Sequence, residues 1–441
     1  MSINVRPARH VNCYLWIFTT TVVMALIGIG VPAQASTSAV AAAPKWHVAE
    51  VGAPAGAEDG FLLSVSCTGP SQCVAGGYYT SSKGIWTPMV ATMTAGHWAR
   101  GRTIVLPPTS TDPHGEGRIT SISCPAKNEC TAVGYNLGYT GGPDGAYIEA
   151  PFTVAQSHGV WGQLRFLVLP PGAALVTVAT LAGVSCTSPG NCEAVGSFAI
   201  KSEAIAPMAD REVNGHWQPA TQIAEPANAD HVAGAFAVFN AVSCPKATSC
   251  VAVGSYLTTS RTEALTAVES GGHWKPAAMA ALPASAAGGQ SSGLNSVSCS
   301  STTSCFAVGG VASTDASVAK SISDSFANGH WGTSVSVVKV VPAKAGTPSA
   351  PWFYGVSCVA TSCEIIGAYT TASGAQDWMA VTESHGKWGK ATGIGEPGNA
   401  LTGHSQTSYP NGLSCAAGRC TAVGSYWDIT DHQDAMAVTQ G

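Results

Sequence analysis

Charge is what this chain has least of. Charged residues make up 10% of its 441 positions and the formal net charge is −5, against ~25% charged in ordinary soluble domains. There is no basic cluster. A nucleic-acid partner needs one to neutralise phosphates, so neither DNA nor RNA is expected. Long apolar runs are absent apart from Tyr14 to Gly30. That run follows Arg6, Arg9 and His10 and precedes Ala33-Gln34-Ala35, the layout of a cleavable export signal. Residues 1–35 are therefore expected to be a signal peptide, with the mature chain starting at Ser36. Without an adjacent arginine pair, the general export route is the expected one. Once cleaved, the chain is expected to be secreted and to have no membrane partner. If the run stayed attached, it would approach the length of a membrane span and anchor the chain.

Cysteine and glycine are plentiful, at 15 and 50 residues. Cys13 precedes the apolar run. The other cysteines form local pairs: Cys67/Cys73, Cys124/Cys130, Cys186/Cys192, Cys244/Cys250, Cys299/Cys305, Cys358/Cys363 and Cys415/Cys420. An even, regular set in an exported chain predicts disulfides, each stapling one hairpin. Seven pairs on seven separate repeats do not converge on a zinc ion. The pairs return every ~55–62 residues, a period suited to one block of about four strands.

The fourth repeat shows the pattern most clearly. Asn240–Cys244 reads as a short inner strand, 245–249 as a turn and Cys250–Tyr256 as a second strand. Ala264–Glu269 alternates as a third, Gly271-Gly272 turns, and Trp274 begins a fourth. Across all repeats, the residue three before the first cysteine is small: Ser64, Ser121, Gly183, Ala241, Ser296, Gly355 and Gly412. The residue one before it is always serine: Ser66, Ser123, Ser185, Ser243, Ser298, Ser357 and Ser414. A nucleophile needs one serine with one base, so seven equivalent serines point to packing and hydrogen bonding. Gly77, Gly134, Gly196, Gly254, Gly309, Gly367 and Gly424 interrupt the second strands, which predicts a bulge or a close backbone approach, here to a neighbouring sheet. Tyr79, Phe198, Tyr256, Tyr369 and Tyr426 follow two residues later and read as core.

Trp98, Trp161, Trp217, Trp274, Trp331 and Trp388 each stand two residues after a glycine. The seventh copy is missing at the C-terminus, but Trp46 supplies it before the first cysteine pair. A solenoid would carry distinct caps at its ends, whereas a ring shares one blade between them. The expected fold is all-β: a closed seven-bladed β-propeller of four-stranded blades, spanning 36–441, with the N-terminal strand completing the last blade. A monomer is expected.

The turns Gly96-His97-Trp98, Gly215-His216-Trp217, Gly272-His273-Trp274 and Gly329-His330-Trp331 resemble a degenerate Asp-box, the structural turn of sialidases and related secreted propellers. The resemblance covers six turns, and the motif's aspartate is absent from each. It implies fold and not chemistry, because the box lies away from the active site in that family. A sialidase also needs an arginine cluster and an acidic–tyrosine pair at the ring centre. Of Arg100, Arg102, Arg118, Arg165, Arg211, Arg261 and Arg419, only Arg118 lies just before an inner strand.

In such a ring the cysteine hairpins and Gly-x-Trp turns share one face, and variable loops, where function usually sits, form the other. On the loop face Trp352, Tyr354, Trp378, Tyr409 and Trp427 are the candidate ligand-binding residues, since flat rings stack on sugars or anchor proteins. Trp352 and Phe353 have an alternative role as plugs between blades. Asp428, Asp431, His432 and Asp434 form the best acidic set but lack a calcium-loop pattern. No metal or cofactor is expected. The leading functional expectation is a non-catalytic binding module for a polysaccharide, cell-wall component or protein partner. The alternatives are a propeller enzyme of lyase or glycoside hydrolase type, or a purely structural surface protein. For a lyase, His114 with Glu116, His231 with Asp230, or His404 are the candidate acid–base residues. Gly138 to Tyr147 reads as a mobile loop.

Overall fold

The computed structural model describes residues 45–106, 116–139, 147–174, 178–281, 290–313, 319–327, 330–332, 335–336, 342, 351–385, 387–403 and 407–441. The expected signal peptide (residues 1–35), His114, His404 and part of the Gly138–Tyr147 stretch lie outside them. All regular secondary structure described is strand, in seven antiparallel sheets. Blade 1 runs outward through Ala57–Gly69, Gln72–Ser81, Trp86–Thr94 and an outer strand in two pieces, His97–Trp98 and Arg102–Thr103. Blades 2 to 6 repeat this plan. Blade 7 comprises Ser408–Ala416, Arg419–Trp427 and Gln433–Gln440, and its outer strand is Trp46–Glu50. Trp46 pairs with Gln440 and Glu50 with Met436, so the ring closes as the sequence predicts.

The disulfides form as expected: Cys67–Cys73, Cys124–Cys130, Cys186–Cys192, Cys244–Cys250, Cys299–Cys305, Cys358–Cys363 and Cys415–Cys420. Each closes a hairpin with a sequence separation of 5 or 6, worth ~2 kcal/mol in chain entropy. They depart from simple hairpin staples in one respect. The second cysteine of every pair is buried: Cys73, Cys130, Cys192, Cys250, Cys305, Cys363 and Cys420. Cys305 lies opposite Phe326 and packs with it in the core beside blade 5. Cys363 belongs to the core cluster that includes Val381 and Tyr369, and the Cys420 amide donates to Gln440 Oε1 at 3.2 Å. The physical reason is position: the second cysteine begins the second strand, which is covered on both faces, so each bridge is also a core side chain.

The serines before the first cysteines join the blades. Ser66 Oγ accepts from the Cys124 amide (2.9 Å), Ser123 from Cys186, Ser185 from Cys244, Ser243 from Cys299, Ser298 from Cys358 and Ser357 from Cys415. Ser414 accepts from Cys67 at 3.0 Å and completes the circle. A second, partial ring lies two residues earlier, where Ser64, Ser121 and Ser296 accept from Ile122, Val184 and Val356. Where that site holds glycine instead, the blades come closer. A Cβ on Gly412 would meet Ser64 Cα at 2.9 Å, and one on Gly183 would meet Ala241 Cα at 3.0 Å.

The second-strand glycines differ from expectation in what they face. A Cβ at Gly254 would lie 1.9 Å from the Val238 carbonyl oxygen, and Gly77, Gly134, Gly196, Gly309, Gly367 and Gly424 meet the matching carbonyl of their own inner strand. The close approach is within the blade, not to a neighbouring sheet. It sits beside a bulge, because each inner strand skips one residue of register there, as between Phe239 and Ala241. The extra residue turns toward the next blade. Asn240, Asn295 and Asn411 donate through Nδ2 to Leu294, Phe353 and Leu62 carbonyls, and Thr120 Oγ1 donates to Leu181 O.

Each outer tryptophan ends a cross-strand row that starts at the disulfide. In blade 3 the row is Cys186, Cys192, Glu212 and Trp217, and in blade 1 it is Cys67, Cys73, Met93 and Trp98. The turn histidines His97, His216, His273 and His330 are exposed. Phe198, Tyr256, Tyr369 and Tyr426 are buried as expected, whereas Tyr79 is half-buried and its hydroxyl meets Thr103 Oγ1 at 3.2 Å.

Two substitutions test these constraints by thermal unfolding. Gly254→Ala should cost more than ~3 kcal/mol or prevent folding, while Gly398→Ala, with nothing within 4 Å of its Cβ, should be near neutral. Ser414→Ala strands the Cys67 amide and should cost ~1–3 kcal/mol. A neutral Gly254→Ala would refute the bulge assignment.

Candidate functional site

The two faces separate as expected. Cysteine hairpins bond to Gly-x-Trp turns, as in Gly215 N to Gly190 O and Gly272 N to Thr248 O. On the other face, inter-blade links bond to the loops after the second strands, as in Leu401 N to Trp427 O and Asp230 N to Leu257 O.

Arg118 is the centre of an ionisable cluster on the loop face. It lies two residues before the bulge of Glu116–Ala126, the inner strand of blade 2. Its guanidinium carbon stands 4.8 Å from the Tyr135 ring centroid, 5.3 Å from Trp86 and 5.9 Å from Tyr78. Tyr78 stacks on Phe61 at 4.5 Å and tilts against Trp86 at 5.2 Å. Tyr78 and Tyr135 each stand one residue after a second-strand glycine, so they point opposite to the residues that follow. Burial raises both phenols above their ordinary value, and the nearby Arg118 charge opposes that rise. Burial likewise raises Glu149, again opposed by Arg118. Arg118 Nε is buried and makes no hydrogen bond, so the guanidinium keeps an unused donor among two phenols and a carboxylate. Asp59 adds negative charge beside Tyr78. It accepts from Thr80 Oγ1 and from the Gln433 amide, and lies 3.5 Å from His432 Nδ1. Sequence reading isolated Arg118 but missed its partners, whose only signal was a tyrosine directly after the strand glycine.

The expected aromatic sector is only partly assembled. Trp378 is fully buried in the core between blades 6 and 7, where Gly424 makes room for its ring. It is a wedge, which corrects the reading of it as a ligand-stacking surface. Trp352 is half-buried with its ring over Gly310 of blade 5, and Phe353 is core; both plug blade interfaces. Tyr354 and Tyr409 do come together: burial raises the Tyr354 phenol, Gln376 bonds it, and the Tyr409 charge acts on it. Tyr409 is 38% exposed and Trp427 is half-buried at a strand end. His231 pairs with Glu225 at 2.9 Å rather than with Asp230, which accepts from the Val232 amide instead. Asp428 ties its own loop by accepting from Thr430 N, Thr430 Oγ1 and His432 N. No set of three or more metal-ligating side chains converges among the described residues.

A second ionisable cluster joins blades 3 and 4 near the cysteine face. Arg211 Nε donates to Glu193 at 2.8 Å, its other end lies against Glu269, and Trp274 Nε1 donates to Glu193 at 2.7 Å. Asp210 on the opposite side of the same strand is raised to about 8 by burial, with the Glu193 charge adding and the Arg211 amide opposing.

No protein-family model matches the chain, and no curated protein matches it by sequence. Solved structures share its fold. An ulvan lyase, described as a new family of polysaccharide lyase, superposes with a TM-score of 0.55 at 10% identity, covering 88% of this chain and 95% of the lyase. The ulvan lyase bound to a glucuronate–sulfated rhamnose chain gives 0.54 at 10% identity, with the same coverage of both chains. A Trypanosoma rangeli sialidase aligns at a TM-score of 0.46 and 10% identity, over 90% of this chain and 60% of the sialidase. At this identity the likeness establishes the seven-bladed propeller. The leading functional expectation, a non-catalytic binding module, is corrected: the buried Trp378 removes a main support for it, and a neighbour of this fold matched over most of both chains is an enzyme.

Asp210 makes a stability prediction. A carboxyl that resists ionisation in the fold withdraws stability as pH climbs from its ordinary value through about 8. Asp210→Asn should therefore raise the melting temperature clearly near the top of that window and little near its bottom. An equal gain at both ends would contradict a protonated Asp210.

Proposed function

We propose that this chain is an exported enzyme of the lyase type, cleaving a uronate-containing polysaccharide at Arg118 on the loop face. The observation that carries the reading is the unused Nε donor of Arg118, whose guanidinium also bonds the Tyr78 and Tyr135 phenols and lies beside the Glu149 charge. β-Elimination needs three things: a cation on the uronate carboxylate to acidify the C5 proton, a base for that proton, and an acid for the leaving O4. Arg118 supplies the cation and fits a carboxylate fork. Glu149, raised by burial, is the base. Tyr135, held protonated by burial, is the acid. The C5–H and C4–O bonds break, a C4=C5 double bond forms, the C5 proton passes to Glu149, and Tyr135 protonates O4. No water is consumed.

The glucuronate-containing ligand of the ulvan lyase with this fold supports a uronate as the substrate class. A sialidase-type hydrolase would need an arginine cluster, and Arg118 has no second arginine among its ring and charge partners. Tyr354, Tyr409 and Trp427 are proposed as sugar-stacking positions along the same face. The seven disulfides fit an oxidising compartment and support export; signal removal before Ser36 and action as a monomer on an extracellular glycan belong to the same proposal.

The test is the ultraviolet absorbance of the new conjugated double bond when the mature chain meets a panel of uronate polysaccharides. Absorbance should rise, and Arg118→Leu should slow it about a hundred-fold or more. Activity should grow as pH rises through a carboxylate value above the usual range, and Glu149→Gln should remove that limb along with most of the rate. Saturated reducing ends without an absorbance change would mean hydrolysis, and no cleavage of any member would refute the enzyme reading.

A further inference from the structure

The repeat allows one inter-blade cleft to be compared with its neighbour residue by residue. Between blades 3 and 4, Glu193 faces Arg211 across the strand pair of blade 3, and the row of blade 4 presents Glu269 and Trp274. The Arg211 guanidinium lies between the two carboxylates and also donates to Gly272 O at 3.3 Å. Between blades 2 and 3 the same positions hold Thr131, Ala155, Glu212 and Trp217. The correspondence is direct: Thr131 Oγ1 lies 3.4 Å from Cys192 Sγ of blade 3, as Glu193 reaches Trp274 of blade 4. The arginine is thus replaced by Ala155, and its partner carboxylate remains.

The consequence is an empty space with an unmet acceptor. A cleft of about 310 Å³ lies there, lined by Thr131, Ala155, Gln156, Arg165, Glu212 and Trp217. Glu212 is only 5% exposed and Gln156 8%, yet Glu212 Oε2 and Gln156 Oε1 make no hydrogen bond. Leaving such groups unpaired is costly. Burial raises Glu212, and the Arg165 charge opposes that rise. Glu129 at the edge is already engaged by the His158 amide at 2.9 Å and lies 3.7 Å from His158 Nδ1. With Glu129 and Glu212 against Arg165, the cleft carries a net negative charge.

The geometry points to a guanidinium-binding site between blades 2 and 3, in which an arginine group from outside takes the seat that Arg211 fills one blade further on. The Glu212 carboxylate and the Gln156 amide oxygen accept from the guanidinium fork, and Trp217 lines the cleft beside them. Two sources share this chemistry, free arginine and an arginine side chain within a peptide. The site is separate from Arg118 and independent of the lyase reading.

Calorimetric titration of the mature chain with N-acetyl-arginine amide, free arginine, an arginine-centred tripeptide and N-acetyl-lysine amide tests it. The arginine amide should bind, and more tightly than the lysine amide. Comparable affinity of free arginine would make a small solute the ligand; preference for the tripeptide would make it a peptide side chain, and either supports the site. Glu212→Gln should weaken binding about ten-fold or more. Ala155→Arg should abolish it while keeping or raising the melting temperature, because the seat is then filled from within. If Ala155→Arg does not fold, Glu212→Gln alone decides. No binding by the parent chain, undiminished binding to either variant, or binding only after Arg165→Ala, which would mean Arg165 already occupies the seat, would overturn the proposal.

Discussion

Seven hydrogen bonds, each from a cysteine amide to the serine hydroxyl of the preceding blade, hold the blades in one radial register. Each is worth only about 1 kcal/mol, but their placement fixes the remaining structure. The serine must sit one residue before a disulfide, so the hairpin that the disulfide closes is locked at the level where the blades touch. Two positions earlier only serine, alanine or glycine fits, and the bulge follows on the far side. The bulge then needs a glycine opposite it and turns its extra residue toward the next blade. Loops beyond the bulge are released from the register, and there the chemistry gathers.

Much of this was legible because it recurs. A serine repeated seven times at one offset cannot be seven nucleophiles, and a tryptophan missing at one end but present at the other implies a shared blade. The period, the disulfides and the closure through Trp46–Glu50 follow from counting and spacing. Spacing did not reveal that Cys305, Cys363 and their counterparts are core side chains, because burial depends on the neighbouring blade. The target of the strand glycines was not legible either. A glycine in a strand announces a close approach but not its partner, and the partner is the carbonyl exposed by a bulge that leaves no residue signature of its own.

The candidate site was harder for a related reason. Trp378 read as a loop residue, but it is the third position of Gln376–Ser384, and alternation along that strand turns it into the core between blades 6 and 7. Tyr78 and Tyr135 fall one residue from the register of Phe198 and Tyr256, so although all four are buried, the shift by one turns these two rings toward Arg118. Their meeting with Arg118 spans three strands on two blades, a relation that no local motif encodes.

The ring is the claim on which the site's position rests, and amide hydrogen exchange at Cys67, Cys124, Cys186, Cys244, Cys299, Cys358 and Cys415 addresses it most directly. The intact mature chain should protect all seven amides to a similar degree. Removing Trp46–Glu50 should then lower protection at all seven together, since opening one blade frees the whole circle. Loss confined to Cys415 and Cys67, with the other five unchanged, would show that the blades hold independently and would contradict a single closed register.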